Sequence, residues 1–185
     1  MPVLPDTLPS APVLVFYDTE FTDLAPGSEL LSIGLVVAGT DDELYIEISD
    51  ANLSLASDFV VAEVLPLMGR HKPLRLTKTE AAAAIDAWLD TLRAGDRSTQ
   101  IVMVSDSSWD WRHLVALQST IGENEPWAHR CNVTSQMIQS LLKTEAQGEN
   151  FYEAVEAFYR SHSEQHHALV DARSLKCGLL GAQSR

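Results

Sequence analysis

The sequence predicts an α/β fold built on a mixed, five-stranded sheet flanked by helices. Three observations carry that expectation. A run of β-branched and aromatic residues, Val13 to Tyr17, follows a proline-rich start. Two further strand-like runs come after it across short turns. Beyond residue 77, helical periodicity alternates with more strand-like runs. With 185 residues, 45% of them hydrophobic, the chain can bury a sizeable core in one domain.

The elements follow in order. Residues 1–12 carry Pro2, Pro5, Pro9 and Pro12 and lack the positive start and apolar core of a signal peptide. They read as a flexible N-terminal tail before a single domain over 13–185. The first strand is VLVFYDTEF, from Val13 to Phe21. A breaker-rich turn, residues 22–28, separates it from an apolar strand over 30–38 and an alternating strand over 43–49. Short connections make these three an antiparallel meander. That is not a Rossmann start, and no glycine-rich phosphate loop follows the first strand.

Residues 58–68 read as a short helix interrupted near Pro66. Thr77 and Glu80 form a capping-box pattern ahead of a helix over 78–94, closed by Gly95. Its apolar positions Ala81, Ala84, Ile85, Trp88, Leu89 and Leu92 share one face. A strand over 100–105 and a helix over 109–119 follow, then a short strand over 129–133 and helices over 134–143, 150–162 and 168–181. No internal repeat, low-complexity tract or domain boundary is evident.

Net charge is −13, and it is lopsided. No Lys or Arg precedes Arg70, and residues 1–69 hold twelve of the acidic residues. Such a protein does not bind nucleic acid through a general positive field; any contact must be local and metal-assisted. No apolar run is long enough to span a membrane, and a cytoplasmic location is expected. Cys131 and Cys177 have no metal-ligand spacing and read as reduced, buried thiols; a cytoplasmic chain would leave the sequon at Asn132 unused.

Chemistry concentrates where carboxylates end elements. Asp18 and Glu20 lie one residue apart at the end of the first strand, so both point to one side of it. Like charges held so close are costly unless a cation lies between them, although two polar residues closing a strand is the plainer reading. Asp110 falls at the start of the helix after the fourth strand, near a positive helix end. Asp106 is a second candidate there, with helix capping by Asp106 or Ser107 as its plainer role. Near the C-terminus His166 precedes Asp171 by five residues, with Asp171 one turn into a helix. Taken alone, that histidine reads as a solvent-exposed cap.

Together these residues resemble the histidine-bearing branch of the DEDD superfamily, the DEDDh-type 3′-5′ exonucleases with the ribonuclease H-like fold. Asp18-Thr19-Glu20 matches the Asp-x-Glu motif, and the aromatic-Asp pair Trp109-Asp110 matches the second. The run from His166 to Arg173, HHALVDAR, is similar to the oligoribonuclease and ribonuclease T form of the third. Tyr17-Asp18-Thr19-Glu20-Phe21 is similar to a group of bacterial 3′-5′ exoribonucleases. The resemblance spans residues 13 to about 180. Two positions depart from the pattern: Val170 stands where an acidic residue often precedes the last Asp, and Asp106 where the second motif usually has Asn.

The resemblance implies a metal-dependent 3′-5′ exoribonuclease that releases nucleoside 5′-monophosphates from single-stranded RNA ends. It implies Mg²⁺ or Mn²⁺, as two ions about 3.5–4 Å apart, on Asp18, Glu20, Asp110 and Asp171. Hard cations of this kind prefer carboxylate oxygens. Asp18 would bridge the ions, Glu20 and Asp171 would complete one site and Asp110 would act through the other. His166 is the implied general base, since an imidazole's ordinary pKa of about 6.5 suits proton removal near neutral pH; His167 is the alternative. Phe21 and Leu24 are candidates to stack on or wedge beside the terminal base, or else they belong to the core. Arg70, Lys72, Arg75 and Lys78 form a local basic concentration, with Arg70 and Lys72 the candidates for substrate phosphates and a solvated loop as the alternative. The preference for RNA over DNA and the expectation of a homodimer rest on the resemblance alone. A proofreading exodeoxyribonuclease shares this chemistry, and a non-catalytic nucleic-acid-binding module of the same fold is the non-enzyme alternative.

Overall fold

A computed structural model describes residues 11–121 and 132–183. Six strands form one mixed sheet: β1 Val13–Phe21, β2 Leu30–Val37, β3 Glu43–Ile48, β4 Leu74–Leu76, β5 Ile101–Ser105 and β6 Val133–Met137. The helices are α1 Lys78–Leu92, α2 Ser108–Gln118, a one-turn α3 Ile138–Leu141, α4 Glu145–Ser161 and α5 Ala168–Gln183. The strand order is β4-β3-β2-β1-β5-β6. β1, β2 and β3 pair antiparallel, as the short turns between them require. β5 runs parallel to β1, β6 to β5, and β4 to β3.

β1 occupies the middle of the sheet, and its alternation assigns its two faces. Val15 and Tyr17 join the core beneath α1 and α2, with Ile85, Leu89 and Leu114. Phe16 joins the opposite core with Val104, Phe151, Leu175 and Leu179, under α4 and α5. Asp18 and Glu20 continue the Phe16 side and so face α5.

Two devices bring the helices in. Thr77 caps α1 through a complete capping box with Glu80. Gly34 on β2 lets α5 lie directly on the sheet: a Cβ there would stand 2.4 Å from the Leu169 backbone. Only hydrogen fits that gap.

The sheet has six strands where five were expected. The sixth, β4, is a three-residue edge strand that follows the basic loop and is too short to show a pattern. The last strand also lies further along than expected. β6 covers Val133–Met137, in residues whose sequence reads as the start of a helix. Alternate burial of Val133, Ser135 and Met137, and pairing with Ile101–Ser105, fix it as an edge strand. The remaining helix over 134–143 shrinks to the single turn α3, and α4 begins at Glu145, capped by Thr144, rather than at 150. The interrupted helix over 58–68 is a turn of π-helix, Val60–Val64, running into a 3₁₀ turn at Leu65–Leu67 with Pro66 at its start. Of the expected tail, residues 1–10 lie outside the described residues, as do residues 129–131 of the expected strand and Cys131.

Candidate active site at the end of the central strand

The first strand loses its β5 neighbour before it ends. The β1–β5 ladder stops at the pair Phe16–Val104, and residues 17–21 pair with β2 alone. A cleft of about 420 Å³ opens there. A register shift between Glu20 and Phe21 sits at its edge, where such irregularities re-aim side chains.

α2 enters this gap with its first turn. Ser107 caps the helix by accepting from the Trp109 N–H at 3.1 Å, which leaves Asp110 pointing inward, 1% exposed. Asp110 Oδ1 accepts two hydrogen bonds from Thr19, from its backbone N–H at 3.2 Å and its hydroxyl at 2.7 Å. Asp110 Oδ2 is buried and accepts none.

α5 supplies Asp171 from the other face. Its Oδ1 accepts from the Tyr159 hydroxyl at 2.6 Å, and its Oδ2 from the His166 backbone N–H at 2.9 Å. The Tyr159 oxygen also lies 3.0 Å from Ser174 Oγ. His166 lines the cleft with a left-handed backbone, φ 70°, and its ring meets the edge of Phe59 with centroids 5.0 Å apart.

Two groups of carboxylates result. Oxygens of Asp18, Glu20 and Asp171 lie within 4.8 Å of one another, and so do those of Asp18, Asp106 and Asp110. Asp18 belongs to both. Loss of solvent raises every one of these acids. Glu20 rises to about 8, with Asp171 and Asp110 adding to it. Asp171 and Asp110 each rise to about 7, their hydrogen bonds opposing the shift. Asp18 is raised well above the carboxylate range, first by burial and then by all four other acids. Such a set is poorly arranged as a cluster of anions and well arranged around cations. The orphaned Asp110 Oδ2 and the all-oxygen donor set fit a hard divalent metal.

The other predicted residues fall as follows. Phe21 lines the cleft and stacks on His113 at 4.6 Å and, less closely, on Trp109 at 6.0 Å. Leu24 also lines it and is 70% exposed. Asp106 sits on the exposed turn before α2, within reach of Asp18 and Asp110. His167 is buried against Tyr45, its pKa lowered to about 4 chiefly by loss of solvent, and it does not line the cleft. Arg70 and Lys72 stand outside the cleft lining; Arg70 reaches Glu164 at 2.7 Å, and Lys72 is exposed.

Sequence reasoning passed over Thr19, Tyr159 and Phe59. Thr19 sits inside the Asp-x-Glu motif as its unspecified residue. Tyr159 meets Asp171 from the preceding helix. Phe59, 53% exposed, lines the cleft from the position just before the π-helical turn.

No family model matches the sequence, and no curated protein matches it. Solved structures do. One is a 3′-exonuclease described in 3′-end specific recognition of the histone mRNA stem-loop; it superposes with a TM-score of 0.62 at 13% identity, over 95% of this chain and 65% of that one. A full-length 3′-exonuclease superposes with a TM-score of 0.52 at 13% identity, over 89% of this chain and 78% of that one. The fold is shared with these two 3′-exonucleases. It is the ribonuclease H-like fold, with a mixed sheet flanked by helices. The chain thus spans just under two thirds of the first of these structures. Among the described residues no helix is long and apolar enough to cross a membrane.

Proposed function

We propose that this chain is a metal-dependent 3′-5′ exoribonuclease of the DEDDh type, releasing nucleoside 5′-monophosphates from single-stranded RNA ends. The observation that carries the reading is the pair of carboxylate groups sharing Asp18, four of whose five acids, Asp18, Glu20, Asp110 and Asp171, line one cleft. In it Asp18, Glu20 and Asp171 would hold one Mg²⁺ or Mn²⁺, and Asp18 with Asp110 would hold a second, with Asp106 beside it. When bound, the ions supply the positive charge that favours an attacking hydroxide and stabilises the departing oxygen.

The chain's own groups do the rest. Thr19 fixes Asp110 through two hydrogen bonds, and Tyr159 with the His166 N–H fixes Asp171. His166 is the general base, the histidine that faces the cleft, whereas His167 is enclosed behind it. The water oxygen bonds to the terminal phosphorus as its proton passes to the His166 ring. The bond from phosphorus to the 3′ oxygen of the preceding nucleotide breaks, that oxygen keeps the electron pair and takes a proton from solvent to become the new 3′-hydroxyl, and the terminal nucleotide leaves as its 5′-monophosphate. Phe21, Leu24 and Phe59 offer apolar surface to the terminal base. Arg70 and Lys72, outside the cleft, meet phosphates further along the strand in this reading.

RNA is favoured as substrate by the structural neighbour described with a histone mRNA stem-loop. A homodimer belongs to the same reading, and sedimentation of the purified chain tests it. The deciding experiment is degradation of a 5′-labelled single-stranded RNA beside the matching DNA, with Mg²⁺, Mn²⁺ or EDTA, and with Asp18→Ala in parallel. A ladder shortening from the 3′ end, metal-dependent and absent in the variant, is expected. A DNA-only ladder would make it an exodeoxyribonuclease. Intact substrate in every metal, with binding retained, would make it a non-catalytic module.

A further inference from the structure

His166 stands in a conformation that a side chain other than glycine adopts at a cost. Its φ of 70° lies in the left-handed region. Such a backbone persists only where its surroundings hold it. Its own hydrogen bond, to Asp171, fixes the segment from the α5 side. A second set of contacts holds it from behind and comes from the loop between the π-helical turn and β4.

Glu164, two residues before His166, joins that loop with both oxygens. Its Oε1 lies 2.7 Å from Arg70 Nη1, and its Oε2 lies 2.7 Å from His71 Nε2. These partners hold its carboxyl down at about 2. The ring of His71 then meets that of His167 edge-on at 4.8 Å, and the His167 ring also meets that of Tyr45 at 4.6 Å. The loop is anchored in turn to β3. The Gly69 N–H and the Tyr45 hydroxyl both donate to the buried Glu47, and Arg75 pairs with it at 3.3 Å. His71 and Lys72 are themselves left-handed, with φ 55° and 54°. Left-handed backbone thus stands on both sides of the contact between His71 and the segment 164–167, at His71 and Lys72 on one side and at His166 on the other.

We propose that Glu164, gripped by Arg70 and His71, is the positioning clasp for His166: its carboxylate holds the proposed general base over the cleft and itself never touches substrate. The inference rests on the DEDDh reading, because it assigns a partner to that reading's base. A base misplaced by an ångström loses roughly 10²-fold in rate, so a loosened clasp acts on turnover rather than on affinity.

Four measurements test it. Glu164→Ala lowers kcat on single-stranded RNA by roughly 10–100-fold with KM nearly unchanged. Glu164→Gln keeps one acceptor and recovers most of that loss. In a His166→Ala background, itself slowed by roughly 10²–10⁴-fold, Glu164→Ala slows the enzyme no further, because the group it positions is gone. In ring carbon–proton spectra of the substrate-free protein, the His166 signal shifts or broadens in Glu164→Ala while that of His113 stays. Undiminished kcat in Glu164→Ala, a rise in KM alone, or an equal loss in the His166→Ala background overturns the clasp. So does an unchanged His166 signal, and that spectrum decides the matter even if the wild-type chain cuts nothing, in which case the exonuclease reading has failed separately.

Discussion

At the scale of single residues the site turns on Asp18. Four other acids face it, and burial adds to their repulsion. Without metal that arrangement costs stability; in the proposed enzyme it is what would draw the ions in. Asp18→Asn therefore separates the two effects. Turnover is expected to fall by at least about 10³-fold, the size of loss seen when one essential group of a hydrolytic site is removed. The metal-free variant is expected to melt above the wild type, by roughly 2–4 °C for each kcal/mol of repulsion removed. Melting curves in EDTA check this, and a lower melting temperature would mean that Asp18 is held by something other than its charge. Tyr159→Phe is the gentler companion. It removes the hydroxyl that Asp171 accepts from but leaves the ring, so a loss of about 1 kcal/mol of orientation, or roughly 5-fold in kcat, is expected.

Five residues of the proposed site were legible because the motifs name them directly: Asp18, Glu20, Asp110, His166 and Asp171. Thr19, Tyr159 and Phe59 were not. Each acts through a partner or an opening that only the fold creates. Thr19 meets Asp110 across 91 residues of chain, and Phe59 borders the cleft from a turn that carries no motif.

At the scale of elements, what places Asp171 is the contact between β2 and the first turn of α5. Gly34→Ala tests it. The added methyl would meet the Leu169 backbone, which cannot rotate away as a side chain can. Overpacking of this kind costs roughly 1–3 kcal/mol or more, and here the displaced helix carries both Asp171 and the N-terminal contacts of His166. A lowered melting temperature together with a loss of kcat is expected in circular dichroism and ladder assays. Full activity in a destabilised protein would show that α5 holds its place through α4 alone. The same scale explains what the sequence hid. β1, β3, α1 and α2 were readable because each has a buried face long enough to show its pattern, and β2 and β5 because each is an unbroken buried run bounded by turns. β4 is three residues, and β6, at a sheet edge, mixes Thr134, Ser135 and Gln136 into its pattern. Strand pairing with β5 overrode the local pattern there. Gly34 read as an ordinary residue of an apolar strand, since nothing in that strand announces a helix 135 residues later.

At the scale of the whole molecule the clustered acids link stability, pH and metal. Glu20 at about 8, and Asp110 and Asp171 at about 7, lie above the ordinary unfolded values of about 4. The folded chain therefore binds more protons than the unfolded one between those limits, and metal-free stability falls as pH rises across that window. Below about pH 4 the groups are protonated in both states, and their favourable contribution is fully present. A divalent cation binds the deprotonated form and competes with those protons. Its stabilisation should therefore run the other way, small at pH 5.5 and large at pH 8. At a hundred times its dissociation constant an ion adds about 2.7 kcal/mol, or roughly 5–10 °C in a chain of this size. Thermal melts of the wild type in EDTA and in Mn²⁺ across pH 5.5–8 read both trends at once. The EDTA curve is expected to fall with pH and the Mn²⁺ increment to grow, and Asp18→Asn should flatten both. An increment equal at the two ends of the range would place the metal on groups other than these carboxylates.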